Sequence, residues 1–376
     1  MKPHLVRLFT PQELNHSSYV QTGLFELEQA GFIRTQVVFC VLKRMGTLWV
    51  TPQGVEERNQ PHPKTSFYEL EDATTGKVIR FATDLYDAAD SFSLYALTHC
   101  DYVFKRNYQS QFVSHLPKEF QAKLLPLGLT FGVFSPYRHS QSLFFRGLLW
   151  SNLRLQFKID RLFFHRLVTT YSQQMAHWKF VQTSRSLSHF AIPERGSEST
   201  ILFQTRCFLH EDNPDLKAVH QDRYRIIQLM REKFPLQFRG GFVPSPFVMA
   251  HYPDAVTSLK TDPQSYLELV KKARIVIYTR GIQDSPAWKM AEYLSQGKVI
   301  LAERMSTELP VPLEHGKHVL FFNSIAEIPL LCEHVLEDTA LCERLSQNAR
   351  AYYETVISPP LNIKRLLQIM LENPKP

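Results

Sequence analysis

Two carboxylates, Asp284 and Glu292, stand eight positions apart in TRGIQDSPAWKMAEYLSQGKVILAE. A carboxylate accepts two hydrogen bonds, so such an acid suits a cis-diol like that of a ribose. Around them lie Arg280, Gly281, Ser285, Pro286 and Lys289. Free amides at a helix start suit a phosphate, because the helix dipole is positive there. Pro286 fits a first helical turn, with Ser285 or Asp284 as its cap. Gly281 allows close backbone approach. In a plainer reading Asp284 only caps a helix and Glu292 is a surface acid.

These residues need elements to hold them. IVIY reads as a buried strand, PAWKMAEYLSQ as a helix ended by Gly297, and KVILA as the next strand. The alternation extends on both sides. ILFQTRCF, LQFRGGFV and HVLFF read as strands, the second ending in a Gly-Gly turn. DRYRIIQLMREKF, SYLELVKKA, IAEIPLLCEHVLED and ALCERLSQNARAYYETVI read as helices. Pro359 and Pro360 interrupt before a last helix, NIKRLLQIMLE. Strands and helices alternating on this scale predict a parallel, doubly wound sheet. Its ligands bind outside the carboxyl ends of the strands, where TRGIQDSP lies.

The first half opens the same way. HLVRLF is a strand, TPQELNHSSYVQ a polar loop, TGLFELEQAG a helix stopping at Gly31, and FIRTQVVFCVL a strand. WVTPQGVEERNQPHPKTS is a polar excursion, and YELEDATTGKVIRFATD a hairpin turning at Thr75 and Gly76. A helix is expected around LYDAADSFSLYALTHC, then a strand, DYVFKR. Asn15, His16, Ser17 and Ser18 follow the first strand, and Asp84, Asp87 and Asp90 follow a later one. Such loops can hold an acceptor; a loop histidine without a role, and acids that only cap helices, are the plainer readings. The three acids form no resolved donor set, so no metal site is expected.

The stretch from 143 to 181 mixes bulky apolar residues with Arg146, Arg154, Lys158, Arg161, Arg166 and Lys179. It is expected to become a long amphipathic helix from about residue 159. It reads as a core helix with snorkelling basic side chains, or as a membrane-surface platform for a lipid-linked acceptor. The polar run Ser184 to Thr200 is the best linker.

At 376 residues the chain exceeds one ordinary core and implies two domains. Its 44% hydrophobic and 21% charged content fit a soluble globular protein. A net charge of +7 admits an anionic partner without naming it. Five scattered cysteines with no CxxC point to reduced thiols in a cytoplasmic setting and away from zinc or disulfides. The opening MKPHLVRLFTPQEL has a short apolar run broken by Arg7 and does not read as a secretory signal. No run of about 18 apolar residues offers a membrane span. No RNP, KH or helix-turn-helix signature points to nucleic acid. No dinucleotide, Walker or HExxH pattern stands out.

From about Ile201 to Ile357 the chain resembles the C-terminal domain of retaining glycosyltransferases of the GT-B fold, the group-one family. That family has two acids with seven residues between, then a small-residue helix turn, a glycine and a strand. DSPAWKMAEYLSQGKVILAE matches it. LQFRGGFV, with Gly241 and Phe242, is similar to the family's strand, glycine and hydrophobic turn. YLELVKKARIVIY resembles its short helix and strand, and LEHGKHVLFF with the helices after it resembles the close of the domain.

The resemblance implies an α/β, GT-B-like fold, with two doubly wound, parallel-sheet, Rossmann-like domains facing a cleft. Residues 1–185 would bind the acceptor, 186–199 link, 200–358 bind the nucleotide sugar, and 359–376 cross back to the first domain. It implies a nucleotide-sugar co-substrate, no cofactor or metal, a glycan or lipid-linked acceptor, and transfer with retention. Beside the resemblance, the cysteines place this in a cytoplasmic setting, and the platform reading of 143–181 would put it at the inner face of a membrane. Glu292 would hold the ribose, Asp284 would sit by the donor sugar's hydroxyls, and His16 would orient the acceptor or the transferred sugar. Arg206, Arg280, Gly281, Ser285, Lys289, Gly241 and Phe242 would complete the donor site. Asn15, Ser17, Asp84 and Asp87 would face the acceptor.

Two departures stand out. The first acid is Asp, one methylene shorter than the usual Glu. The family often has an Arg with a Lys five residues later; Arg206 matches the first, but position 211 is Glu. Arg280 or Lys289 is left to supply that charge. Two alternatives stay open: a catalytically weak nucleotide- or glycan-binding relative, and a membrane-surface adaptor using 143–181.

Overall fold

The computed structural model describes residues 3–10, 12–40, 44–137, 199–208 and 214–373, together with parts of 164–193. The chain forms two compact α/β units, each with a Rossmann-like sheet. One unit holds Met1–Leu187, Thr307–Pro310 and Ile357–Pro376. The other holds Ser188–Ser306 and Val311–Val356.

In the first unit, β1 (His4–Thr10), β2 (Ile33–Phe39), β5 (Thr65–Glu71), β6 (Val78–Asp84), β8 (Tyr102–Lys105) and β9 (Leu124–Pro126) form one sheet. Its order is β2-β1-β5-β6-β8-β9. β1 and β2 pair in parallel, as do β6, β8 and β9, whereas β5 runs antiparallel to both neighbours. That antiparallel strand enters through the hairpin at Gly76, where φ is 70°. The polar excursion is itself a hairpin, β3 (Met45–Thr51) and β4 (Gly54–Pro61), which pairs with β7 (Ser91–Ser93) in a separate sheet. β4 is exposed at every position, so it carries no apolar alternation to betray it.

The expected polar loop after β1 is mostly helix. The Leu14–Gln29 helix starts beneath Glu13, whose carboxylate accepts from the His16 N–H at 3.2 Å. Asn15, His16 and Ser17 therefore sit in a first helical turn. The Pro359–Glu372 helix starts at its prolines rather than after them, because proline fits the first turn. It packs on the Leu14–Gln29 helix within the first unit. Asn362 Nδ2 donates there to Tyr19 Oη at 3.1 Å and to the Leu127 carbonyl at 3.0 Å.

In the second unit, β10 (Ile201–Thr205), β11 (Phe238–Phe242), β12 (Ile275–Tyr278), β13 (Val299–Glu303) and β14 (Leu320–Phe322) are all parallel. Their order is β11-β10-β12-β13-β14, so the chain reverses direction across the sheet at β10. β10 and β12 are buried at every position, which explains their unbroken apolar runs. Ile226, Ile227 and Met230 of the Pro214–Lys233 helix join Phe203, Ile275 and Ile277 in the core.

The expected linker, 186–199, is not a free tether where it is described. Leu187–Phe190 forms a 3-10 helix with Phe190 fully buried. Arg350 Nη1 donates to the Phe190 carbonyl at 2.8 Å, which pins the segment to the second unit. Most of the basic aromatic stretch 143–181 lies outside the described residues. Those described between 164 and 183 are helical, with Phe164, Val168 and Tyr171 exposed. Among the described residues, no helix is long and apolar enough to cross a membrane.

Candidate functional site

In a sheet of this order the loops after β10 and β12 leave in opposite directions, and ligands bind in the crevice outside those strand ends. Arg206 follows β10; Thr279 and Arg280 follow β12. Both loops are tied to a residue that sequence reasoning missed. Arg223, on the Pro214–Lys233 helix, is only 4% exposed. Its Nη1 donates to the Arg206 carbonyl at 2.7 Å, its Nη2 to the Arg280 carbonyl at 2.8 Å, and its Nε to Thr279 Oγ1 at 3.2 Å. Burial pushes its pKa down to about 10, so it stays charged at neutral pH. A signal did exist: Arg223 falls in phase with Val219, Ile227 and Met230, a basic residue on an apolar stripe.

Lys289 and Glu292 come from the Lys289–Ser295 helix. Lys289 Nζ donates to the Gln204 carbonyl and lies 4.7 Å over the Tyr266 ring. Burial, and then the nearby Arg223, push the Lys289 pKa down to about 7, with Glu292 pulling the other way. Glu292 is 4% exposed, which removes the surface-acid reading. A buried acid and a strongly perturbed lysine at a strand-end crevice mark a functional-site candidate.

The loop before this helix differs from the expectation. The helix begins at Lys289, not at Ser285 or Pro286. The Gly281 N–H donates to the Ser285 carbonyl at 2.9 Å, the Ser285 N–H to the Ile282 carbonyl at 3.1 Å, and the Ala287 N–H to Tyr278 Oη at 2.9 Å. The amides expected to cradle a phosphate are therefore engaged at Ser285 and Ala287. Gly281 is required by this closure, since a Cβ there would stand 2.8 Å from Ser285 Oγ. Ser285 is itself buried.

Asp284 is no helix cap. It and Gln283 both sit at φ 53°, in the left-handed region that costs roughly 1 kcal/mol per non-glycine residue. Its carboxylate accepts from Ser306 Oγ and lies 4.0 Å from Arg280 Nε. Arg280 Nη2 donates to Asp215 Oδ1 at 2.5 Å, and its Nε lies 3.4 Å from Glu303 Oε1. Asp215 above all holds the Arg280 pKa above its usual range, while burial raises that of Glu303. Three carboxylates thus surround Arg280 and offset its charge. Position 211 lies outside the described residues.

Two further donor candidates are structural. Phe242 is fully buried, its ring centroid 5.3 Å from that of Tyr252, so its side chain faces the core and not a ligand. Gly241, at φ 138°, is required by packing, because a Cβ would stand 2.5 Å from the Ala255 carbonyl oxygen. Arg206 has its side chain exposed at the crevice while Arg223 holds its carbonyl.

The first unit gathers a separate polar group. Glu13 Oε2 lies 2.7 Å from His16 Nδ1, and Lys64 Nζ lies 3.3 Å from His16 Nε2. A charged lysine only donates, so Nε2 accepts and the ring proton sits on Nδ1, facing Glu13. Lys64, at φ 56°, also donates to Asp87 Oδ2 at 2.6 Å, and Arg106 donates to the other Asp87 oxygen. Burial works to raise the Asp87 carboxyl, but Arg106 and Lys64 outweigh it and hold it below the usual carboxylate range. His16 and Asp87 are therefore brought together.

Asp84 does not join them. It is 1% exposed and accepts from Lys105 Nζ at 2.9 Å and from the Tyr86 N–H at 3.0 Å, so its carboxylate holds the fold. Ser17 is fully buried, and Asn15 is exposed. Among the described residues no group of three or more His, Cys, Asp or Glu side chains could hold a metal ion.

No curated protein matches the chain. Among solved structures, the C-terminal domain of a glycosyl transferase group 1 family protein from Francisella tularensis is 12% identical at a TM-score of 0.30, over 44% of this chain and 87% of that one. A glycosyltransferase from Rickettsia africae is 11% identical at 0.39, over 72% of this chain and 63% of that one. The UDP-GlcNAc 2-epimerase of Neisseria meningitidis, solved with UDP-GlcNAc bound, is 14% identical at 0.37, over 75% of this chain and 64% of that one. This chain spans less than two thirds of the Rickettsia and Neisseria chains. Residues 223–370, which hold Arg223, Asp284, Lys289 and Glu292, match a family described as glycosyl transferase-like.

Proposed function

We propose that the protein transfers a sugar from a nucleotide-sugar donor to a glycan or lipid-linked acceptor, keeping the anomeric configuration. The observation that carries this reading is the grouping of Arg206, Arg223, Lys289 and the buried Glu292 at the carboxyl ends of β10 and β12. The family match over 223–370 supports it. Glu292 would hold the ribose diol, and Asp284 the hydroxyls of the donor sugar. Arg206 and Lys289 would meet the diphosphate, and Arg223 would keep the two loops in register beneath it.

Negative charge grows on the diphosphate as the glycosidic bond breaks, and cations fixed in advance stabilise it without reorganisation. No metal is required, because the side chains supply the countercharge. In the first unit, His16 and Asp87 would receive the acceptor. Retention follows from the resemblance over 201–357. A cytoplasmic setting at a membrane face, through 143–181, belongs to the same proposal.

A second reading is a nucleotide- or glycan-binding relative without turnover. It is favoured by the commitment of Arg280 to Asp215 and Glu303. One experiment separates the two. Melting temperature and nucleoside diphosphate release are measured across UDP-, GDP-, ADP- and dTDP-sugars, for the wild type and Glu292→Ala. Stabilisation by one donor, lost in the variant, supports the donor site, and release of the diphosphate makes the protein an enzyme. A melting point that no donor moves in either protein would refute the proposal.

A further inference from the structure

A cleft of about 360 Å³ lies along β11, at the edge of the second unit's sheet. It is lined by Phe238, Arg239 and Gly240 from the amino-terminal half of the strand, with Arg231 behind them and Val256 to Leu259 opposite. That places it away from the carboxyl-end crevice, and none of the residues assigned to donor or acceptor lines it. Its volume falls in the range of small-ligand sites.

The charge in this cleft is one-sided. Its lining holds two arginines and no aspartate or glutamate. Among the described residues, Arg231 donates to main-chain carbonyls alone, those of Asp254, Val256 and Gly240. Arg239 Nη1 donates to the Leu236 and Phe238 carbonyls, at 2.9 and 3.0 Å. Neutral acceptors orient a guanidinium without cancelling its charge, and Arg239 keeps Nε and Nη2 without a partner among the described residues. Thr257 and Ser258 stand on the same wall, beside apolar Phe238, Val256 and Leu259. A guanidinium matches a phosphate through paired N–H donors, and the apolar wall suits a non-polar group attached to it.

We infer that the cleft between β11 and the Val256–Leu259 segment is a second ligand site, which takes a phosphate monoester carrying an apolar group. Arg239 is the recognising residue; Arg231 holds the opposite wall in place. The phosphate arrives on a soluble molecule or on a lipid headgroup.

The test uses the full chain at low salt, with phenyl phosphate and inorganic phosphate as calorimetric probes. Arg239→Glu is compared with Lys289→Met, which alters the other basic crevice. Arg239→Glu is expected to weaken phenyl phosphate by about tenfold or more, the size of one lost charge-assisted bond. Lys289→Met is expected to leave it unchanged, and inorganic phosphate to bind more weakly than phenyl phosphate. Flotation with phosphatidic acid vesicles, lost in Arg239→Glu, would assign the phosphate to a lipid; calorimetric binding alone would assign it to a soluble molecule. Equal binding by Arg239→Glu and wild type, loss in Lys289→Met instead, or no binding of either phosphate or vesicles would overturn the inference. Failure here is distinguishable from failure of the proposed donor site, because the donor experiment reads nucleotide sugars against Glu292→Ala, and neither that variant nor those ligands enters this test.

Discussion

If Lys289 meets the donor diphosphate, nucleotide affinity falls as pH rises through neutrality. The free lysine has a pKa near 7, depressed chiefly by burial and then by Arg223. It is therefore charged at pH 6 and mostly neutral at pH 8. A bound diphosphate favours the charged form, so the complex holds the proton that the free protein has lost. The apparent Kd then scales as 1 + 10^(pH − 7), which is about 1.1 at pH 6 and about 11 at pH 8, close to 1.4 kcal/mol. The second ionisation of a phosphate, near pH 6, works the other way. Lys289→Met shares that effect, so the wild-type-to-variant ratio isolates the lysine.

The assay is calorimetry with the nucleoside diphosphate of the preferred donor, at pH 6, 7 and 8 and constant ionic strength. Repeating pH 8 in two buffers of different ionisation enthalpy should show uptake of about 0.9 proton by the wild type. The same shift acts on folding with a defined sign. The unfolded chain holds this proton up to about pH 10.4, so the free protein gains stability as pH rises from 7 toward 10 and loses it on the way down. A wild-type-to-variant ratio that stays constant from pH 6 to 8 would refute the placement of Lys289 at the anion.

Other consequences concern buried charges. Arg223→Met should destabilise the protein by at least about 3 kcal/mol in denaturant titration, because two main-chain carbonyls and Thr279 lose a charged donor. A loss under about 1 kcal/mol would show that the loops do not depend on it. Lys105 and Asp84 are both fully buried in the first unit, 2.9 Å apart. Lys105→Met should cost about 3–5 kcal/mol by stranding Asp84, whereas Lys105→Met with Asp84→Asn should recover more than half of that; equal losses in the single and double variants would deny the stranded charge.

The second unit's sheet was legible because its strands are buried on both faces and spaced by amphipathic helices. Where the reading failed, a local signal was overruled or absent. Ser285 and Pro286 look like a helix start, yet Tyr278 Oη takes the Ala287 N–H and the loop closes on itself between Gly281 and Ser285, delaying the helix to Lys289. The helix from Leu14 was read as a loop because its first turns bury the polar Ser17, Ser18, Gln21 and Thr22 alongside the apolar Tyr19 and Val20. Hydrophobic periodicity is blurred where polar residues fill most of the buried positions. Gly241 and Phe242 carried a family-like pattern whose cause in this chain is packing.

The two arginines at the crevice show why sequence alone could not tell which charge is left uncancelled there. Arg280 looked available because it flanks the loop, but its guanidinium is met by Asp215, Glu303 and Asp284. Arg223 looked like one more charge on a helix, but its acceptors are a hydroxyl and two carbonyls. The first arrangement cancels the charge and leaves a scaffold. The second satisfies every hydrogen bond it uses while leaving the full positive charge to act across the strand ends. That field adds to burial, the larger cause, in depressing Lys289, and an arriving diphosphate would offset it. Under the proposed donor site, the basic residue missing at position 211 would be replaced by a pair: a buried arginine that contributes to the field, and a lysine whose charge would depend on the ligand.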